Sequence, residues 1–245
     1  MVDAATLPTR HAEDFRYADL TALASLWPVK AEAIVVPAGE RRALTLIHTG
    51  EAPLARDLAV ALGEGAHFAL HVLNAGAASG RIAVRATLQA GAHFHLGAAQ
   101  LAGGDATAEI VTHVTHAAPD AISRQVVRSV AGGRGTANYL GKVLVQPGAD
   151  GTDGEQSVRA MLLDRTATAN ARPELEIHAD DVKCAHGCAV GELDAGGLFY
   201  MAQRGLPPEL AKRLMLQAFI AEALAGAEDE AALQDQARAA LEALL

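Results

Sequence analysis

The stretch ADDVKCAHGCAVGELD, residues 179–194, holds both cysteines of the chain, with His186 midway between them. On an extended strand, positions i, i+2 and i+4 share one face, so Cys184, His186 and Cys188 would present thiol, imidazole and thiol in a row. Neighbours in such a row stand about 6.6–7 Å apart at the backbone, close enough for Cys184 and His186 to reach one soft metal ion. The two cysteines are about 13 Å apart on that strand, beyond disulfide reach. Three groups do not complete a tetrahedral zinc site, and the chain has too few cysteines for a four-thiolate cluster. One account is a soft-ligand set finished by another protein. The other is that free cysteines pack as small buried residues inside a β body. The residues by themselves favour neither.

Other chemistry-bearing residues are weaker. His93 and His95, in AGAHFHLGAAQ, resemble the H-x-H of metal-binding cupin barrels, and on a strand they would chelate a divalent ion from one face. Such sites need a carboxylate and a further histidine, and Gln100 stands near where the acid would be wanted. A metal-dependent cupin-like barrel enzyme using His93 and His95 is the alternative reading. His113 and His116, three apart, would face opposite sides of a strand. GGRGTANYLGK at 132–142 has five residues between Gly135 and Gly141 and Val143 after the lysine, so it lacks P-loop spacing and is expected to be a β-turn. Neither Ser123 nor Ser129 sits on a glycine elbow, which argues against a hydrolase.

Composition narrows the classes. Hydrophobic residues make up 51% and aromatic ones 4%, so the core is built from Ala, Val, Leu and Ile. A net charge of −9 with no basic patch excludes a nucleic-acid footprint. The opening MVDAATLPTRHAEDF has no apolar signal core, and no 18-residue apolar run is present. A cytoplasmic, reducing location without membrane contact is the expectation.

The elements that must position these residues follow from periodicity. Residues 11–27 read as one short amphipathic helix, with Leu20, Leu23 and Trp27 in phase and Pro28 as stop. From about 32 to 194 short alternating runs recur, such as ALTLIHTG, FALHVLNAG and RIAVRATLQAG, mostly closed by Gly, Asn or Asp. At least nine strands without intervening helices leave a barrel, a sandwich or a β-solenoid; small side chains and the monotonous strand–turn rhythm favour the solenoid. Beyond Asp194 the pattern is helical: LFYMAQRG closed by Gly205, PPELAKRLMLQAFIAEALAG closed by Gly226, and EDEAALQDQARAALEALL with an apolar stripe. The expected layout is an N-terminal helical segment (1–31), a β core (32–194) and a C-terminal helical region (195–245).

The run Ala179-Asp180-Asp181-Val182-Lys183-Cys184-x-His186-Gly187, then Val190-Gly191, Leu193-Asp194, Leu198-Phe199-Tyr200 and Arg204-Gly205, resembles the SufB/SufD family of iron–sulfur cluster assembly scaffolds. HAAPDAISRQVVRSVAGG, GTANYLGKVLV, Gln156 with Leu162–Leu163, and EDFRYADL fit the same pattern. The Cys-Asp-Ser and Val-Glu-His-Glu of the SufB branch are missing, which favours the SufD side. The resemblance implies a right-handed parallel β-helix capped by C-terminal helices. It implies pairing with a SufB-like paralogue, with His186 and Cys184 at an interface where a transient iron ion or Fe–S cluster is shared, none being stably bound by the lone chain. It also implies docking of a SufC-like ATPase on the tail, with Phe199, Tyr200, Arg204, Gly205, Arg213 and Phe219 assigned to partner binding, and a homodimer when the chain is alone. The chain itself would be a non-catalytic scaffold. Two departures are Asp120, where the family usually has histidine in HAAPH, and a short N-terminal region.

Overall fold

The computed structural model describes residues 6–245; residues 1–5 of the expected N-terminal segment lie outside the described residues. Twelve strands run in chain order: β1 Ala31–Val36, β2 Arg41–His48, β3 Leu54–Leu62, β4 His67–Asn74, β5 Gly80–Leu88, β6 His93–Ala102, β7 Thr107–His116, β8 Ile122–Ala131, β9 Thr136–Val145, β10 Asp153–Leu162, β11 Thr168–Ile177 and β12 Lys183–Gly191. Odd strands form one six-stranded sheet in the order β1-β3-β5-β7-β9-β11, and even strands the other, β12-β10-β8-β6-β4-β2. Every pairing is parallel. The chain therefore winds as a β-solenoid, and the barrel needed for the cupin-like alternative is overturned.

Alternation sets which side chains enter the core. In β5, Ile82, Val84, Ala86 and Leu88 are buried while Arg85 and Thr87 face solvent. Turns between strands carry glycines in the left-handed region, among them Gly65 and Gly133 at φ near +60°, where a side chain would be strained. Of the stretch 132–142 expected to be a β-turn, only Gly133 and Arg134 turn; from Thr136 onward it is strand β9.

Parallel in-register stacking places equivalent residues of successive coils in ladders. Along the even strands one inward ladder runs Leu44, Leu70, Leu96, Gln125, Gln156, His186. Its neighbour runs Phe68, Phe94, Ser123, Gly154, Cys184. On the odd strands Leu62 and Leu88 are followed by His116, and Val84 by Thr112. In these ladders the early coils are apolar and the later ones polar, whereas a third inward ladder, His48, Asn74, Gln100 and Ser129, is polar from the first coils.

The segment expected as one helix over 11–27 is instead a 3-10 turn at Glu13–Phe15 and a short helix α1 at Leu20–Ala24. Asp19 explains the break: its carboxylate accepts from Thr21 and Ala22 backbone N–H groups, capping a new helix in the middle of the stretch. The segment works as a strap on the odd-stranded sheet. Phe15 packs edge-on against Trp27 and beneath Arg81, His113 meets Asp14 at 2.8 Å, and Asn138 donates to the Tyr17 carbonyl.

Three helices follow the last strand: α2 Ala195–Gln203, α3 Pro208–Leu224 and α4 Glu230–Leu244. Asp194 caps α2 through the Gly196 and Gly197 N–H groups, and Gly205 and Gly226 take φ near +80° after α2 and α3. The stripe Leu216, Ile220, Leu224 with Leu233, Ala237 and Leu241 buries against Leu73, Ala99, Leu101 and Val130 on the outer face of the even-stranded sheet. The tail covers the β body. Among the described residues no helix is long and apolar enough to cross a membrane.

Candidate functional site

Strand β12 is the last of its sheet, in register with β10: Gly154 under Cys184, Gln156 under His186, Val158 under Cys188. Gly154, Gln156 and Val158 are buried. The same inward positions one coil later are exposed or half-buried, because no further coil stacks on them. Cys184 packs on the main core, and its Sγ lies 3.5 Å from where a Gly154 Cβ would be. Cys188 Sγ donates to the Ala171 carbonyl on β11 at 3.8 Å. By strand alternation Cys184, His186 and Cys188 share the inward face of β12, the last strand of its sheet.

Burial raises both thiols above the ordinary cysteine value, Cys184 in spite of a backbone hydrogen bond at Gly154 that pulls the other way. Both are thiols at neutral pH, so a metal arriving here would have to displace protons. Among the described residues no group of three or more His, Cys, Asp or Glu side chains stands close enough to hold a metal ion. That applies to the open end and equally to His93 and His95. Those two do share the outward face of β6, but each packs against a histidine of β4: His93 on His67 with ring centroids 4.2 Å apart, His95 on His71 at 5.2 Å.

Beneath the open end lies a buried polar group that reasoning from spacing did not assemble. Tyr139 donates to Gln125 Oε1 at 3.2 Å and lies 3.2 Å from the Thr112 hydroxyl, while His116 Nε2 meets Ser123 Oγ at 2.9 Å. Gln156 is fully buried and neither of its amide atoms has a partner. Only the inter-coil register could have signalled this.

The residues assigned to partner binding fall into two sets. Phe199 and Tyr200 on α2 are 65% and 57% exposed, Arg204 stacks over Tyr200 at 5.0 Å, and Gly205 ends the helix; no residue of α2 is buried. Arg213 and Phe219 are half-buried on α3 and already engaged within the chain. Arg213 stands 2.9 Å from Glu242 of α4, and Phe219 lies 6.0 Å under Arg128.

A two-sheet parallel solenoid with an open, soft-ligand last coil and a helical cover is the class of protein these features define. Residues 47–219 match the family described as SUF system FeS cluster assembly, SufBD core domain, and the chain belongs to that family. It is 36% identical over 108 residues to the iron–sulfur cluster assembly protein SufD of Escherichia coli, covering 44% of this chain and 26% of that one. A SufBD family protein of Synechocystis is 34% identical over 171 residues, 68% of this chain and 37% of the relative. The chloroplastic protein ABCI7 of Arabidopsis thaliana is 38% identical over 128 residues, 52% of this chain and 27% of that one. The matched segments span about a quarter to over a third of these relatives.

Proposed function

We propose that the chain is a scaffold subunit for iron–sulfur cluster assembly, working with a SufB-like paralogue and a SufC-like ATPase. The observation that carries this reading is the placement of Cys184 and His186 on the inward face of β12, at an end of the solenoid that the chain leaves uncovered. Two soft ligands there are too few for a cluster, so a partner must supply the others; iron and sulfide are then cargo, held transiently between chains. β11 and β12 also end their sheets with free edges, which offer backbone hydrogen bonds to a partner strand. The ATPase docks on α2, where Phe199 and Tyr200 are 65% and 57% exposed on a helix with no buried residue. Alone, the chain pairs with itself through the same edges. Catalysis is left to the ATPase.

Co-expression with the SufB-like and SufC-like proteins of the same organism, followed by light scattering, tests the assembly. The expected result is a stable ternary complex whose cluster formation is lost in His186→Ala while the complex survives. A chain that stays unpartnered, or a His186→Ala complex that assembles clusters at the normal rate, would sink the reading.

A further inference from the structure

Gln156 raises a question that the ligand row does not answer. A buried carboxamide with both atoms unpaired costs about 1–3 kcal/mol per unpaired group, and such groups are rare in folded proteins. Inverse packing is not the reason, since Leu44, Leu70 and Leu96 fill the same ladder in earlier coils. Register leaves two neighbours in its own ladder, Gln125 one coil before and His186 one coil after.

Pairs elsewhere in the molecule show how polar side chains bond between coils. Asn170 donates its amide N–H to Asn138 Oδ1 in the preceding coil at 2.8 Å, and Ser129 donates to Gln100 Oε1 in the preceding coil at 3.2 Å. In both cases the later coil donates and the earlier amide oxygen accepts. An imidazole with an amide as register partner also pairs here, since His48 Nδ1 stands 3.1 Å from Asn74 Oδ1. A carboxamide oxygen can only accept, so the imidazole N–H donates. Gln125 Nε2 is also buried without a partner, so the two amides can pair in either direction, and in each arrangement Gln156 Oε1 keeps a lone pair. Gln156 Oε1 is then free to accept from His186.

We propose that Gln156 is the positioning residue for His186: its amide oxygen takes one imidazole N–H, so that the other ring nitrogen turns its lone pair to the open end. Neutral histidine ligands of metals need this second partner to fix tautomer and ring orientation, and losing it weakens binding or activity about 10–100-fold. The proposal rests on the reading of Cys184 and His186 as the cargo site. It adds a residue that never touches the cargo.

The test uses the full chain labelled with 15N-histidine, at a pH where the imidazole is neutral. The His186 signals are assigned by their loss in His186→Ala. One protonated and one unprotonated ring nitrogen are expected in the native chain, exchange-averaged shifts in Gln156→Leu, and the native pattern again in Gln156→Glu, whose carboxylate still accepts. In the ternary complex, Gln156→Leu should slow cluster assembly about 10-fold or more. Because leucine continues the ladder of earlier coils, the variant keeps or gains thermal stability, which separates positioning from folding. Averaged shifts in the native chain, or identical shifts in Gln156→Leu, overturn the proposal. If His186→Ala leaves assembly intact, the cargo-site reading fails instead, whatever Gln156 does to the tautomer.

Discussion

The ladder ending in His186 carries leucine in its first three coils and a polar side chain in its last three, on one backbone geometry throughout. Leu70 and Leu96 are fully buried, and so are Gln125 and Gln156, so the change is one of chemistry and not of exposure. Exposure changes at the two ends of the ladder, where Leu44 on β2 is half-buried and His186 on β12 is exposed. Along this ladder the early coils pack leucine on leucine, and the later coils give up part of that stabilisation to polar groups under an uncovered end. A solenoid allows this division because each coil touches mainly its neighbours.

The largest contrast is expected between core truncations in the two regions. Leu96→Ala removes a fully buried side chain and should cost about 2–5 kcal/mol. Val190→Ala, at an inward position of the open coil that is 46% exposed, should cost about 0.5 kcal/mol or less in the lone chain. Urea denaturation of the two variants measures both. Equal costs would mean that the last coil is covered in solution, by a second copy of the chain or by its own tail.

The largest single pH dependence should belong to the later coils, although burial also lowers His67, His71 and His95 on β4 and β6. Burial pushes the His116 imidazole down to about 4 from an ordinary 6.5. The folded state therefore favours the neutral ring: its contribution is whole above pH 6.5 and is lost as pH falls toward 4. The loss amounts to up to about 3 kcal/mol across that window. The same odd-strand ladder holds Leu88 one coil earlier, so His116→Leu paired with Ser123→Ala continues the apolar ladder. Stability measured from pH 7.5 down to 4.5 should fall steeply in the native chain and less steeply in the double variant, where His67, His71 and His95 still titrate. Parallel curves would assign the acid sensitivity to another group.

How much of this was legible beforehand follows from the ladders too. Alternation in RIAVRATLQ exposed the strand and its inward face, and Gly205 and Gly226 marked true helix ends. No strict repeat could be written because the coil length drifts: 26 positions separate Ala31 from its partner Asp57, and 32 separate Thr136 from Thr168. For the same reason the row Cys184, His186, Cys188 was readable within one strand, while Gln156 beneath it was not. The helix expected over 11–27 failed at Asp19, where a local cap and the strap's contacts with the sheet outweighed the apolar spacing.

The helical tail repeats the comparison on the outside of the molecule. α3 is pinned: Arg128, fully buried, holds Glu222 at 2.6 and 2.8 Å and also donates to the Ser157 carbonyl and hydroxyl. The same helix comes so close that a Cβ on Gly97 would stand 2.1 Å from the Ala223 carbonyl. Arg128→Met should therefore cost about 2 kcal/mol, chiefly through the carbonyl acceptors it leaves unpaired. A cost near zero would mean that α3 is held by its apolar stripe alone.

α2 has no such anchor, and this gives the smallest expected effect on the lone chain. Phe199 and Tyr200 project from a helix without a buried residue, so Phe199→Ser should change stability by about 0.5 kcal/mol or less. Its consequence should appear only with the ATPase present, where an aromatic anchor at an interface is worth about 2 kcal/mol or more, roughly a 30-fold loss of affinity. Arg213→Glu is the control on α3. It breaks the contact with Glu242 inside the chain, so its effect on affinity should come with a measurable loss of stability, whereas that of Phe199→Ser should come without one. Calorimetric titration of the ATPase into each variant, alongside thermal unfolding, reads both quantities. Native affinity in Phe199→Ser would move the docking surface off α2.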